Sequence, residues 1–329
     1  MEYIIVTDFI NNDGKRDVSE ELQKVIDNNP NRTIFFPDGE YYLSKPIFTP
    51  ADPKKSVSLK LSNYAKIIAM ENWNGDGALV RLGGKDFAND IRTAGSNYFF
   101  EGGIIDGAGV ADGISIDGGR ETVIRNVSIK HTRIGIHVKK GANNGSADAD
   151  IFGVNIVGNK KRDSIGLLVE GWDNTFTNMR IADVFVGVWI KSSGNMLRNI
   201  HPLYTLDYED YENSCGFIND ELKPNNWFDF CYSDQFAVGF LLGDRVVLQN
   251  CFCFWYSPRE KEHICIKSIC KFNSVVNGLD VGFCGTEAEN IILKTCEEKG
   301  SGVIRDLITS DKNMISDDTY KQYLQGIMI

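Results

Sequence analysis

Two aspartates, Asp183 and Asp234, are the residues of this sequence that we predict to perform acid–base catalysis. An alignment of internal repeats places them two repeats apart, about 9–10 Å between backbones in a stacked fold. An inverting glycosidase holds its two carboxyl groups about 6.5–9.5 Å apart, so that one protonates the leaving oxygen while the other activates a water molecule. The pair therefore predicts hydrolysis of a glycosidic bond. Turn capping is the alternative role for both aspartates.

Basic side chains accompany this pair. The alignment makes Arg180 and His201 neighbours in successive repeats, where they can bind a substrate carboxylate or sulfate or tune the pKa of the catalytic acid. We predict His201 as a third catalytic residue and Arg180 as a substrate-binding residue. His131 falls in the same column as Asp183 and is predicted to contact substrate.

A long acidic and aromatic segment, residues 205–213, follows His201. Aromatic rings match the C–H faces of sugars, carboxylates accept hydrogen bonds from hydroxyl groups, and long loops on a rigid scaffold often carry function. A solvated loop or a subunit contact is the alternative. The predicted sugar contacts in and near this segment are Tyr204, Asp207, Tyr208, Asp210 and Trp255.

An internal repeat must position these residues. A glycine followed by a short alternating apolar strand recurs roughly every 20–30 residues, a period typical of solenoids. The six glycines are Gly113, Gly135, Gly166, Gly187, Gly216 and Gly239. A second strand precedes most of them and carries an asparagine column, predicted to bond from one repeat to the next, at Asn126, Asn178, Asn199 and Asn250.

Each repeat reads as one coil of two or three short strands between Gly/Asn turns. A single coil cannot bury its apolar face, so the coils must stack, with strands roughly 4.8 Å apart. We therefore predict an all-β fold, a right-handed parallel β-helix. The spacing of Val18, Leu22, Val25 and Ile26 predicts a short capping helix over residues 17–27.

The predicted organisation is a single domain over residues 1–329. Its N-terminal segment and capping helix occupy about residues 1–50, and the stacked coils occupy about residues 51–310. About residues 311–329 form a C-terminal cap.

Two outward columns follow from the glycine alignment. The first alternates in charge, which favours a ladder of ion pairs over a charged binding track: Asp117, Lys139, Glu170, Lys191 and Asp220. The second is too apolar for a solvated face and predicts a covering loop or a homotrimer interface: Ser115, His137, Leu168, Trp189, Ile218 and Leu241.

The N-terminal segment resembles the pectate-lyase-like superfamily of right-handed parallel β-helix proteins. The likeness is carried by residues 6–9 (Val-Thr-Asp-Phe), by Asp13-Gly14, by the stretch from Thr33 to Leu43, and by residues 102–107 (Gly-Gly-Ile-Ile-Asp-Gly). It implies the fold, and it implies an activity found among glycoside hydrolases, polysaccharide lyases, epimerases and phage tailspikes. The catalytic motifs of polygalacturonases are absent from the sequence.

The leading prediction is thus a glycoside hydrolase acting on a poly- or oligosaccharide. One alternative is a polysaccharide lyase or epimerase acting on a uronate polymer, and the other is a non-catalytic glycan-binding or tailspike-like β-helix. No cofactor is predicted, although a lyase could use calcium. The tight pair Asp148 and Asp150 offers few of the six or more oxygens that calcium requires.

Composition excludes several other classes. Acidic residues outnumber basic ones, 45 against 35 for a net charge of -10, which argues against a nucleic-acid partner. The eight cysteines lack the spacing of a zinc site. No apolar run approaches the length of about 18 residues that a membrane helix needs, and no signal peptide is recognisable. The sequence therefore predicts a cytoplasmic protein without membrane insertion, with an extracellular or virion-associated location left open.

Overall fold

The computed structural model describes residues 3–85, 99–140, 146–206, 211–220, 223–243, 246–255, 263–268, 275–283, 291–294 and 303–305. The chain divides into two compact units, Met1–Thr175 and Phe176–Ile329, each built of parallel β-helix coils. The single domain over residues 1–329 stays a prediction. The predicted C-terminal cap lies outside the described residues.

The first unit contains one parallel sheet formed by the glycine repeat, which we call its first sheet. Its strands are Ile47–Pro50, Ala78–Lys85, Asp112–Ile116, Ile134–Val138 and Ile165–Val169. A second parallel sheet has two arms in each coil. One arm consists of Ile4–Ile5, Thr33–Phe36, Ser58–Leu61, Phe99–Glu101, Val123–Arg125 and Asp150–Phe152. The other arm consists of Asp13–Asp17, Gly39–Leu43, Ala65–Ala69, Ile104–Asp106, Ser128–Thr132 and Asn155–Gly158.

The remaining elements of this unit are short. A two-stranded ladder joins Gly119–Arg120 to Ser146–Ala147. Two single-turn 3₁₀ helices span Val6–Asp8 and Pro53–Lys55.

The second unit repeats the same arrangement. The strands of its first sheet are Val186–Ile190, Cys215–Asn219, Val238–Leu242, His263–Ser268 and Ile291–Lys294. Its second sheet contains Thr175–Ala182, Met196–Leu203, Asn226–Asp229, Tyr232–Asp234, Val246–Trp255, Val275–Phe283 and Val303–Arg305. Within the described residues, these strands pair in parallel.

The glycine repeat has the predicted register within each unit. Ile114 pairs with Ile136, so Gly113 lies beside Gly135. A Cβ atom on Gly113 would lie 2.4 Å from the carbonyl oxygen of Gly135, which is closer than any side chain allows. Glycine is therefore required where the backbones of successive coils approach each other. The predicted right-handed parallel β-helix is confirmed.

Apolar side chains fill the interior in stacks that run from coil to coil. Ile105, Ile129 and Ile156 occupy paired positions on three successive strands and are almost completely buried. Each such side chain stabilises the fold by about 1.5–3 kcal/mol relative to an exposed position. No single coil could provide this burial, so stability depends on stacking.

The predicted capping helix is present at Ser19–Asn28 and buries Leu22, Val25 and Ile26. Asp17 accepts hydrogen bonds from the backbone N–H of Ser19, 2.9 Å away, and from its hydroxyl group, 2.5 Å away. Gln23 Oε1 accepts from the Phe48 N–H at 2.8 Å, and its Nε2 donates to the Phe48 carbonyl at 3.1 Å. The helix thereby covers backbone groups that a solenoid end would leave exposed.

Candidate functional site

His201, Tyr232 and Asp234 form a compact polar group on the outward face of the second unit. The rings of His201 and Tyr232 stack with centroids 4.1 Å apart. Tyr232 donates its hydroxyl hydrogen to Asp234 Oδ2 at 3.1 Å, and His201 Nε2 lies 3.4 Å from the same oxygen. Asp234 Oδ1 is buried and has no hydrogen-bond partner among the described residues. One carboxylate thus orients two groups that can transfer protons.

The register explains this arrangement and corrects the predicted alignment. Asp234 pairs with Leu203, so Tyr232 stands opposite His201, where the sequence alignment placed Cys231. Cys231 instead points into the core and is fully buried, which raises the pKa of its thiol. The shift is one residue, and in a strand one residue exchanges the outward and inward faces.

Asp183 is consequently in a different column from Asp234. Its carboxylate accepts a hydrogen bond from the Thr205 hydroxyl group, and its backbone has a left-handed φ of 56°. The structure contradicts the alignment from which the carboxylate pair was predicted. Asp183 has the geometry of a turn residue, which was the alternative for it.

Arg180 does lie beside His201. Asn199 Nδ2 donates to Asn178 Oδ1 at 2.7 Å, so these two asparagines lie side by side on successive coils. Arg180 comes two residues after Asn178 and His201 two residues after Asn199, so they are side by side as well. Arg180 Nη1 donates to the carbonyl oxygens of Met179 and Asn199 at 3.1 and 3.4 Å. The asparagine column is confirmed at this rung. In the next coil Phe230 occupies the equivalent left-handed corner.

An open groove of about 480 Å³ lies along this corner of the second unit. Its lining combines amides, a cation and an aromatic ring: Thr177, Asn178, Arg198, Asn199 and Phe230. The ring of Phe230 is exposed, and so is the ring of Trp227 three residues earlier in the chain. An open, polar groove with exposed rings suits an extended chain of sugars better than a small compact ligand.

Two aromatic side chains that were predicted to contact sugar lie in the core. Tyr204 is only 2% exposed and packs edge-on against Tyr211 and Phe236. Trp255 is 1% exposed and donates its indole N–H to the Phe236 carbonyl at 2.8 Å. Both predictions are wrong because the strand alternation turns these rings inward. Asp207, Tyr208 and Asp210 lie outside the described residues, so their roles stay predictions.

His131 belongs to the first unit. It has a left-handed φ of 52°, and its Nδ1 lies 2.9 Å from Asp106 Oδ1. Its predicted role as a substrate contact stays a prediction.

A polar pocket in the first unit was not predicted. It has a volume of about 300 Å³ and is lined by Asp76, Gly77, Ala78, Asp112, Ser115, Arg133, Ile134, His137 and Lys139. Ser115 and His137 belong to the second outward column, which the sequence predicts to be apolar because it also contains Leu168 and Trp189. The polar side chains of Ser115 and His137 on adjacent coils are the sequence signal that could have predicted this pocket.

The pocket contains two titratable groups with shifted pKa values. Burial lowers the pKa of His137, although its bond to Glu170, 2.9 Å between Nε2 and Oε2, opposes the shift. Burial raises the pKa of Asp112, although Arg133 opposes the shift. Both shifts favour the neutral form, as expected when ionisable groups leave water.

The predicted charge ladder is confirmed at one rung, where Lys139 Nζ lies 3.3 Å from Asp117 Oδ1. Glu170 of the same column also bonds His137 at 2.9 Å. In the second unit, Asp220 accepts the indole N–H of Trp189 at 2.5 Å.

The Asp148 and Asp150 pair does not fit a calcium ion. Asp148 forms an ion pair with Arg120, which occupies the carboxylate that a cation would need. In the described parts of the chain, no group of three or more His, Cys, Asp or Glu residues has the geometry of a metal site. Among described residues, no helix has the length and apolarity needed to span a membrane.

No protein-family model matches the sequence, and a search of curated proteins finds no match. Solved structures do match. The A-module of mannuronan C-5 epimerase AlgE4 from Azotobacter vinelandii superposes with a TM-score of 0.57 at 14% identity, covering 94% of this chain and 99% of that one.

Two further matches have similar statistics. An alginate lyase from Paenibacillus gives a TM-score of 0.51 at 13% identity, over 83% of this chain and 96% of that one. The tailspike protein of E. coli bacteriophage HK620 gives 0.55 at 12% identity, over 93% of this chain and 65% of that one. At these identities the likeness shows the fold. The class that the fold defines is the right-handed parallel β-helix, as the repeats predicted.

Proposed function

We propose that this protein cleaves a uronate polysaccharide by β-elimination at the His201, Tyr232 and Asp234 group. The observation that carries the proposal is the stacking of His201 on Tyr232 while both contact one carboxylate oxygen. The fold neighbours include an alginate lyase and a mannuronan epimerase, and both names refer to uronate polymers. These neighbours favour the lyase or epimerase alternative over the glycoside hydrolase that led the sequence analysis.

The elimination needs three groups. A cation pairs with the uronate carboxylate and makes the C5 proton more acidic, and Arg180 is the cation beside His201. Neutral His201 accepts the C5 proton, the C4–O4 bond breaks, and a C4–C5 double bond forms. Tyr232 gives its hydroxyl proton to O4 of the departing chain. Proton return from the imidazolium to the tyrosinate restores both groups, and Asp234 holds them in position.

Elimination is favoured over epimerisation by the placement of these groups. Epimerisation removes a proton from one face of C5 and returns it to the other face, so it needs proton-transfer groups on both sides of the sugar. His201 and Tyr232 project from the same outward sheet face on adjacent strands. They can therefore reach a bound chain only from one side.

The test measures the ultraviolet absorbance of the unsaturated product on alginate, polygalacturonate and other uronate polymers. We expect wild type to generate it on at least one polymer, and H201Q to be slower by at least about 100-fold, the usual contribution of a general base. R125Q is the control, since Arg125 pairs with Glu101 in the other unit and has no predicted contact with substrate. New reducing ends without unsaturated product would instead indicate a hydrolase.

Glycan binding without turnover is the second candidate. It is favoured by the exposed ring of Phe230 in the open groove, by the exposed ring of Trp227 on a strand of the same unit, and by the likeness to a phage tailspike. Saturable binding of a polymer, lost in W227A but without any product over long incubation, would favour it over elimination. The same likeness supports an extracellular or virion-associated location, and the cytoplasmic prediction receives no support. The homotrimer stays a prediction, which the mass of the protein in solution tests.

A further inference from the structure

The pocket of the first unit is separate in the sequence from the residues proposed for elimination. It is built on three successive strands of the first sheet, Ala78–Lys85, Asp112–Ile116 and Ile134–Val138. Its volume of about 300 Å³ is at the lower end of the about 300–1,000 Å³ usual for ligand pockets. That size suits one monosaccharide rather than a run of several.

Arg133 brings unused hydrogen-bond donors to this pocket. Its Nη2 donates to Asp112 Oδ2 at 2.9 Å, and its side chain is 47% exposed. A guanidinium has five N–H donors, and no other described residue accepts from this one. Asp112 engages only one of them, and its Oδ1 accepts instead from the backbone N–H of Ile134 at 3.1 Å. The remaining donors of Arg133 are available to an anion.

Lys139 is a second cation with a loose partner. Its Nζ lies 3.3 Å from Asp117 Oδ1. That carboxylate has three other contacts: Ser115 donates to Oδ1 at 2.5 Å, and Arg81 reaches Oδ2 from Nε at 2.7 Å and from Nη2 at 2.5 Å. Asp117 is therefore well satisfied without Lys139, and the ammonium group can turn toward a ligand at little cost.

Acceptors for hydroxyl groups complete the lining. His137 Nε2 is held by Glu170, which leaves Nδ1 of the neutral ring as an acceptor. Burial lowers the pKa of His137, so the neutral ring is the form present at neutral pH. Asp76 contributes an exposed carboxylate to the lining. Two cations for one anion, with acceptors around them, match a sugar acid.

We propose that this pocket binds a single uronate sugar, with its carboxylate on Arg133 and Lys139 and its hydroxyl groups on His137 and Asp76. The choice of a uronate rests on the proposed function, because it is the acidic sugar of the proposed substrate. Binding here requires no turnover at His201. The pocket would hold a chain end or a released monosaccharide, whereas the open groove of the second unit suits the interior of a chain.

The experiment titrates the full chain with sodium D-glucuronate, D-mannuronate and D-galacturonate, followed by ligand-observed NMR. We expect saturable binding of at least one uronate, weakened at least about tenfold in R133Q because a charge-assisted pair is lost. K139Q should also weaken it. R125Q is the matched control, since Arg125 is exposed and pairs with Glu101 elsewhere in the same unit. Glucose should bind far more weakly than the uronates.

Other outcomes would overturn the proposal. Equal uronate affinity in wild type and R133Q would place the binding elsewhere, and equal competition by acetate or inorganic phosphate would reduce the pocket to a simple anion site. Circular dichroism verifies that R133Q is folded. If R133Q does not fold, the uronate affinity of K139Q tests the proposal instead. H201Q should bind monosaccharide normally. Failure of the elimination proposal and failure of this one are therefore distinguishable.

Discussion

The imidazole ring of His201 lies against the phenol ring of Tyr232, with centroids 4.1 Å apart and planes inclined by 13°. The two residues come from different strands, and the pairing of Leu203 with Asp234 sets their positions. Asp234 then contacts both rings through one oxygen.

Removing the Tyr232 hydroxyl group should separate catalysis from packing. Y232F keeps the ring on His201 but cannot protonate the leaving oxygen, so we expect the elimination rate to fall about 100-fold or more. Thermal unfolding should be nearly unchanged, because the ring still packs against Phe252 at 4.9 Å. Y42F removes another outward tyrosine hydroxyl, in the first unit, and should leave the rate unaffected. An equal rate in Y232F would remove Tyr232 from the mechanism.

Replacing a stacked glycine should destabilise the fold. A Cβ on Gly135 would lie 2.6 Å from the Gly166 carbonyl oxygen and 2.5 Å from Ile156 Cγ2, so G135A should cost about 3 kcal/mol of unfolding free energy. Gly109 has a left-handed φ of 76° with open space around it, and G109A should cost only about 1 kcal/mol of backbone strain. Denaturant unfolding measures both. Similar losses would show that steric contact between coils is not the reason for the glycine repeat.

The capping helix should protect the sheet through Gln23. Q23L keeps the helix propensity but removes both hydrogen bonds to the Phe48 backbone, leaving a half-buried donor and acceptor without these partners. We expect a loss of about 1–3 kcal/mol and faster aggregation on heating. K24L adds the same leucine at an exposed position of the same helix and serves as the control. If K24L aggregates as fast as Q23L, the faster aggregation is caused by surface hydrophobicity and not by the loss of the Gln23 hydrogen bonds.

The charge of Asp17 should make stability depend on acid pH. Burial raises the pKa of Asp17, but hydrogen bonds from Ser19 and Ser44 outweigh it and lower the pKa below its ordinary 3.8. A lowered folded-state pKa means that the stabilisation is complete above 3.8 and is lost as pH falls through the folded value. D17N should therefore be less stable than wild type at neutral pH, with a difference that shrinks in acid.

Thermal unfolding between neutral pH and pH 2.5 measures this difference. E20Q is the control, since it changes the charge of the same helical turn without those serine bonds. S44A should raise the pKa of Asp17 toward its ordinary value, which NMR titration of the carboxyl group detects. A stability difference between D17N and wild type that stays constant over this pH range would show that the charge of Asp17 does not contribute to stability.

The sequence predicted the coils because its signals are local and periodic. A glycine followed by alternating apolar residues specifies a strand with one buried face, and its recurrence specifies stacking. Helix periodicity in residues 18–26 likewise depends only on near neighbours. These features give the same answer whatever the lengths of the connecting loops, so the architecture could be predicted without coordinates.

The register of individual side chains could not be predicted from the sequence. Whether Tyr232 or Cys231 faces His201 depends on the left-handed corner at Phe230, a conformation uncommon for phenylalanine and not visible in the sequence. Tyr204 and Trp255 are a separate case, because the inward–outward alternation of their own strands continues to both positions and buries the rings.

The sequence by itself determined that this protein is a stack of parallel coils with a capped N-terminal end. Only the tertiary structure decided which polar groups meet: His201 with Tyr232 and Asp234, and Arg133 with Asp112 in a pocket of another unit. The physical reason is that strands alternate with a period of two. An unpredicted turn residue therefore moves a side chain from the surface to the core, while the stacking that stabilises the fold stays the same.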